Sequence, residues 1–229
     1  MTTSEALDTI FSFIPDNILN SFKKRGLYDP ILSGQINSSA DIYPRLTSAQ
    51  AIWQNTDYSY LSKILIKYLH HGSILEIGCG SGNLIENLAQ FKFKPIYGLD
   101  HSRAMIRLAK KRLKNYGQVY LISGKIEDYN FQKMVGINNV IINNFWGLLN
   151  KRASIKLLLD IKLNLKGKLI IGPIYEEIPT KIKLAADYLA KNLHFNYSYP
   201  LFTNFKQLGY QEKTIEVDGA KYYILSSNI

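Results

Sequence analysis

From residue 74 onward, apolar runs of four to six residues alternate with longer stretches whose apolar positions recur at helical spacing. The runs fall at 74–77, 95–99, 118–123, 140–143 and 169–172. Helix-length stretches lie between them at 83–90, 102–115 and 151–165, and Ser102 is placed to cap the second of these. Such alternation predicts βαβ units, and so a parallel sheet of the α/β class. The remainder differs in kind. Residues 211–217 and 221–226 are strand-like and are joined through Asp218-Gly219, a strong hairpin signal.

Residues 1–70 carry another pattern. Phe11, Phe13, Ile14, Ile18, Leu19 and Phe22 fall at roughly helical spacing, as do Tyr58, Leu61, Ile64, Leu65 and Tyr68. Between them, residues 28–47 contain Ser, Asn and Pro and read as irregular. The expected organisation is a helical cap over 1–70 and an α/β domain over 71–229, with an insertion near 173–200.

Composition sets the bounds. With 229 residues, 46% of them hydrophobic, the chain can bury one good core. No stretch reaches the roughly 18 to 20 apolar residues that a membrane helix needs. Residues 1–16 lack the basic start of a secretory signal. Cys79 is the single cysteine, so no disulfide framework exists, and a cytoplasmic enzyme is the expectation. A redox or nucleophilic role for Cys79 competes with the simpler reading of a small residue filling a tight turn.

The net charge is +10, yet residues 1–70 balance six basic against six acidic residues. The excess lies chiefly in 103–114 and 151–168, both of which read as amphipathic helices. A nucleic-acid or anionic-membrane face is one reading and a solvated outer face the other. No aromatics interleave with these charges as a base-stacking surface would require, which favours the solvated face.

Candidate chemistry concentrates in Leu75-Glu76-Ile77-Gly78-Cys79-Gly80-Ser81-Gly82-Asn83, answered by Tyr97-Gly98-Leu99-Asp100. Glycines past a strand let the backbone approach a ligand, and an acid ending the next strand suits ribose hydroxyls. A dinucleotide loop would place its third glycine at Asn83. The acid-x-Gly-x-Gly-x-Gly found here resembles motif I of the class I S-adenosylmethionine-dependent methyltransferases.

That resemblance covers roughly residues 53–229, with motif I the specific part. It implies a Rossmann-like, doubly wound, seven-stranded and mostly parallel sheet with an antiparallel C-terminal hairpin. It also implies S-adenosylmethionine as cofactor and S-adenosylhomocysteine as product. Glu76, Gly78, Cys79, Gly80, Gly82 and Asn83 correspond to the loop at the methionine half, where an acid suits the ammonium and sulfonium. Asp100 corresponds to the ribose-binding acid, with His101 along the adenosine edge. Past the third strand the family commonly has Asp against the adenine amino group. Here Lys125 stands instead, leaving Ile126 with its backbone, or Glu127, to hold adenine. Asn143, Asn144, Phe145 and Trp146, just past the fourth strand, are expected to face the sulfonium. Trp146 either offers a π face to a cation or fills the core.

Acceptor-side residues are expected in the cap and past the fifth strand. Tyr28, Tyr43 and Trp53 are the aromatics assigned to a lid, with helix packing as the alternative for each. Tyr175 and Glu176 follow a strand's carboxyl end, where ligands sit in open α/β sheets. His194 is a possible general base, or a surface histidine. No cluster has metal-ligand spacing, so no metal is expected.

Three function classes follow. The first is methyl transfer to oxygen, nitrogen or carbon of a small, partly aromatic or apolar metabolite. The second is methylation of RNA or protein, for which the charge speaks. The third is cofactor binding without methyl transfer. The residues 143–146 match poorly to the Asn-Pro-Pro-Tyr motif of base-amine methyltransferases, which argues against the nucleic-acid option. The sequence does not assign the oligomeric state.

Overall fold

The computed structural model describes residues 57–129, 136–146, 149, 151–174, 204–217 and 220–227, with isolated positions in 1–9 and 184–192. The chain divides into two compact units, Met1–Ile52 with Glu176–Tyr199 and Trp53–Tyr175 with Pro200–Ile229. In the first unit, Thr2 and Glu5 form a capping box: Glu5 N–H donates to Thr2 Oγ1 at 3.2 Å and Thr2 N–H to Glu5 Oε2 at 2.5 Å. The rest of the expected cap before residue 57 lies outside the described residues.

The second unit is built on seven strands: β1 Ile74–Ile77, β2 Ile96–Asp100, β3 Val119–Ser123, β4 Asn139–Asn143, β5 Lys168–Ile174, β6 Tyr210–Val217 and β7 Ala220–Ser227. Its helices are α1 Ser59–Leu65, α2 Asn83–Leu88, α3 Arg103–Arg112 and α4 Lys151–Asn164. The strand order is β3-β2-β1-β4-β5-β7-β6. β1 to β5 pair in parallel, whereas β7 is antiparallel to both β5 and β6. This is the mostly parallel, hairpin-closed sheet expected from the sequence. The β5–β7 register shifts between Ile171 and Ile174, the stretch containing Pro173, which has no N–H to give a ladder.

The central strands are buried on both faces, which is why they read as continuous apolar runs rather than alternating ones. Successive side chains feed two cores. Leu75, Val140, Ile142, Leu169 and Ile171 pack with Leu157, Leu158 and Ile161 of α4. Ile74, Ile141 and Ile170 pack on the opposite face with Leu65 of α1, Leu84 and Ile85 of α2, and Ile106 of α3. Helices on both faces make the sheet doubly wound. Ser102 caps α3, its hydroxyl accepting from Met105 N–H at 3.3 Å. The outer face of α3 carries exposed Arg103, Arg107, Lys110 and Lys111, while Arg112 pairs with Glu86 at 2.9 Å. The excess charge on this helix therefore lies on its outer, exposed face.

A polar clamp fixes the amino ends of β1 and β4. Asn139 is fully buried; its Oδ1 accepts from His70 N–H at 2.9 Å, and its Nδ2 donates to the His70 carbonyl at 2.7 Å and the Ser73 carbonyl at 3.2 Å. Asn138 Oδ1 accepts from Ser73 N–H at 3.0 Å. Asn139→Ala removes three hydrogen bonds and is expected to lower unfolding stability by about 1–3 kcal/mol in urea titrations. Ligand affinity at the opposite, carboxyl ends of the strands should be unchanged.

Candidate active site

The strand order reverses between β1 and β4. In open α/β sheets that switch point, past the carboxyl ends, is where ligands bind. The loop after β1 folds back over the end of β2: the N–H groups of Gly78 and Cys79 both donate to the Leu99 carbonyl, at 2.8 and 3.1 Å. Gly80 N–H then donates to Asp100 Oδ2 at 2.9 Å, and Ser102 N–H to Asp100 Oδ1 at 2.8 Å. Gly78, Gly80 and Gly82 all have positive φ, of 74°, 54° and 82°.

The three glycines do different work. A Cβ on Gly78 would lie 2.6 Å from Phe145, and one on Gly82 would lie 2.7 Å from Leu113. A Cβ on Gly80 would meet nothing within 4 Å. Gly78 and Gly82 thus admit packing neighbours, while Gly80 turns its bare α-carbon toward open space.

Two carboxylates lie under this loop. A carboxylate has about four lone-pair sites, so the two backbone bonds to Asp100 leave two for other donors. Burial pushes the Asp100 carboxyl up, against the pull of the Ser102 and Gly80 N–H groups. His101 Nδ1 stands 3.9 Å from Asp100 Oδ1. Glu76 is 3% exposed, and burial, reinforced by Asp100, pushes its carboxyl well above the usual glutamate range. Burial, with the Glu76 and Asp100 charges adding to it, also pushes the Cys79 thiol well up.

Among the described residues, the buried side-chain polar atoms with no partner are Glu76 Oε2, Ser81 Oγ, and both Nδ2 and Oδ1 of Asn83. All belong to one eight-residue stretch. Buried polar groups are nearly always paired, so this cluster calls for a polar ligand or ordered water.

The β4 end completes the rim. Asn143 is buried, and its Oδ1 accepts from the Tyr222 hydroxyl at 3.1 Å. Asn144 is exposed with φ of 55°; its N–H donates to the Gly172 carbonyl at 2.8 Å and its Nδ2 to the Tyr58 hydroxyl at 3.2 Å. Phe145 is half-buried beneath Gly78. Trp146 is 2% exposed and sits in the α4-side core with Phe205, ring centroids 6.3 Å apart, the core alternative raised above. At the β3 end, Gly124 N–H donates to the Asp100 carbonyl at 3.1 Å, which brings that turn beside the acid. Lys125 is exposed there and Ile126 half-buried against the core; the Glu127 side chain lies outside the described residues. So do Tyr28, Tyr43, Trp53, Tyr175, Glu176 and His194. No group of metal-ligating side chains occurs among the described residues.

Residues 74–166, which span the glycine loop, both acids and the β4 rim, match the family described as "Methyltransferase domain". The uncharacterized methyltransferase YdaC of Bacillus subtilis is 38% identical to the chain over 78 residues, which are 31% of the chain and 42% of YdaC. The chain thus aligns with less than half the length of that curated relative. Among solved structures, the CurJ carbon methyltransferase is similar with a TM-score of 0.62 at 14% identity, over 93% of this chain and 70% of that one. An O-methyltransferase family 2 protein from Planctomyces limnophilus, in complex with apigenin, is similar with a TM-score of 0.59 at 15% identity, over 83% and 62%. At these identities the likeness is one of fold.

Sequence reasoning missed three groups around this site. Ser81 was overlooked between its flanking glycines. Tyr58 and Tyr222 carried no motif, and only their contacts with Asn144 and Asn143 reveal them.

The glycine geometry separates two substitutions. Gly82→Ala must displace Leu113 and is expected to lower the thermal midpoint clearly. Gly80→Val meets only its backbone strain, of roughly 1–3 kcal/mol, but fills the open space. The variant should fold and yet lose nucleoside binding in calorimetry.

Proposed function

We propose that the chain is an S-adenosylmethionine-dependent methyltransferase acting on oxygen, nitrogen or carbon of a small, partly aromatic or apolar metabolite. The observation that carries this reading is the run of partnerless buried polar atoms from Glu76 to Asn83, in the loop whose open Gly80 bonds Asp100 through its N–H. The fit is chemical. Asp100 has two free lone-pair sites for a ribose diol, and Glu76 offers buried negative charge to an ammonium or sulfonium. Ser81 and Asn83 offer donors and an acceptor to the polar methionine end. A pyrophosphate, by contrast, would meet two acids.

When bound, S-adenosylmethionine supplies an electrophilic methyl group that passes to the acceptor by in-line displacement, leaving S-adenosylhomocysteine. The chain's contribution is alignment. Asp100 and the loop hold the nucleoside, Phe145 and Asn144 form the wall past β4, and Ile126 with Lys125 and Glu127 border the adenine side. His101 lies along the same edge. On the acceptor side we assign Tyr175 and Glu176 to orientation and His194 to deprotonation. Tyr28, Tyr43 and Trp53 are assigned to an aromatic enclosure that lowers the water content around the reacting groups. The apigenin bound by the Planctomyces limnophilus protein supports an acceptor of that size and character. The exposed cations of α3 favour RNA as a second acceptor class, which strongly salt-dependent binding would reveal.

Isothermal titration is expected to give one stoichiometric site for both S-adenosylmethionine and S-adenosylhomocysteine. Asp100→Ala, still folded by circular dichroism, should weaken both at least a hundredfold. Undiminished affinity would remove Asp100 from the ribose site.

Glu76 adds a pH dependence. Its carboxyl is raised by folding, so the native state keeps its proton to higher pH than the unfolded chain does. Stability therefore falls as pH rises from the ordinary glutamate range to the raised value, by about 1.4 kcal/mol for each pH unit crossed. Glu76→Gln should grow more stable than the parent as pH rises through that window, while losing cofactor affinity. Parallel urea titrations across that window check the first effect and calorimetry the second.

A further inference from the structure

α4 buries one side and displays the other. Leu157, Leu158 and Ile161 enter the core against the sheet. At 3.6 residues per turn, the side facing away is an arc of about 100° that carries Arg152, Ile155, Lys156, Leu159 and Leu163. Leu159 is 44% exposed and Leu163, one turn on, is 77% exposed, where an amphipathic helix ordinarily turns polar side chains to water. Arg152, Lys156 and, just past the helix, Lys166 are exposed, and Ile155 is half-buried. The arc holds no acid; Asp160, half-buried, lies on its flank.

Neither part of this arc is spent within the described structure. Among the described residues, no acid pairs with Arg152, Lys156 or Lys166. Lys162, by contrast, is committed: its Nζ donates to the Leu208 carbonyl at 2.9 Å and stands 5.9 Å from the Tyr210 ring centroid. Lone exposed leucines are ordinary on protein surfaces, but two of them a turn apart, set among cations, make a surface of two chemistries. A second copy would bring like charges together, in a chain of net charge +10. A nucleic-acid backbone would satisfy the cations and leave the leucines in water. A protein partner buries about 800 Å² a side in a stable complex, and the convex ridge of one helix offers far less.

An anionic lipid surface meets both parts. Its headgroups take the cations, and the aliphatic side chains enter the boundary between headgroups and acyl chains. With 14 residues, α4 is shorter than the roughly 20 that span a bilayer, and no described helix is long and apolar enough to cross one. We propose that α4 is a docking surface for an anionic lipid membrane, on which it lies flat with Leu159 and Leu163 inserted and Arg152, Lys156 and Lys166 against the headgroups. The inference does not depend on the cofactor reading. Joined to it, docking sets the chain at the phase in which apolar acceptors collect.

The test is flotation of the full chain with vesicles of phosphatidylcholine alone, and of phosphatidylcholine and phosphatidylglycerol in equal parts. The parent is expected to float with the anionic vesicles only, and less so as salt rises. Leu159→Ser combined with Leu163→Ser should weaken binding about tenfold or more, and Lys156→Gln about fivefold. All three positions are exposed, so both variants should keep the parent's thermal midpoint. Arg107→Gln removes the same charge from α3, on the opposite face of the sheet, and should leave binding as in the parent. Equal losses for Arg107→Gln and Lys156→Gln would mean that net charge alone attracts the chain, and would overturn the assignment to α4. Undiminished binding of the leucine variant, or no binding by the parent, would overturn it too. A parent that stays off the vesicles but sediments as a dimer, where the leucine variant does not, would give the ridge to a second copy. The leucine variant should titrate with S-adenosylhomocysteine as the parent does, which keeps a failure here apart from a failure of the cofactor reading.

Discussion

The two backbone hydrogen bonds that Asp100 accepts organise everything around the site. One comes from the loop after β1 and the other from the turn that starts α3, so one carboxylate ties two chain crossings together. For Gly80 to aim its N–H at that carboxylate, its backbone must turn left-handed, and its α-carbon then looks away into open space. Shape and chemistry share a cause here. The bonds that bend the loop also leave Asp100 with lone pairs on the open side.

The same arrangement concentrates negative charge where water is scarce. Burial raises the cost of ionising both Glu76 and Asp100, and the Asp100 charge adds to it at Glu76; among the described residues the basic side chain beside Asp100 is His101, at 3.9 Å. Two buried acids are expected to be uncomfortable without a cation beside them. Natural proteins tolerate such local conflict where binding resolves it, and elsewhere they remain consistent from propensity to packing. Here the consistency lies in the two apolar cores, and among the described residues the conflict is confined to 76–83 and Asp100.

Much of this was legible in the sequence. The parallel strands are short, apolar on both faces and separated by helix-length segments, so their runs stand out. The hairpin is legible because Val217 pairs with Ala220 across a two-residue connection that favours Asp-Gly. What stayed hidden depends on partners distant along the chain. Tyr58 shares helical spacing with Leu61 and Leu65 and so reads as core, yet its hydroxyl answers to Asn144, 86 residues later. Gly82 reads as part of a ligand loop, while the atom that needs its bare α-carbon belongs to Leu113. Trp146 admitted two readings until Phe205 was seen beside it. Local patterns reveal elements; pairings made by folding reveal roles.

The placement of β7 between β5 and β6 has a kinetic consequence. β5 finds its antiparallel partner only 56 residues further along, where Leu169 meets Leu225. Until then the Leu169-Ile170-Ile171 edge is an apolar strand with its hydrogen-bonding groups unspent, the kind of edge that recruits other chains. Closure of this sheet is a late, non-local event, and during synthesis the nascent chain must carry β5 unprotected while residues 176–199 emerge. When closure comes, it replaces that edge with β6, whose exposed Gln211, Lys213, Thr214 and Glu216 make a polar border poorly suited to further pairing.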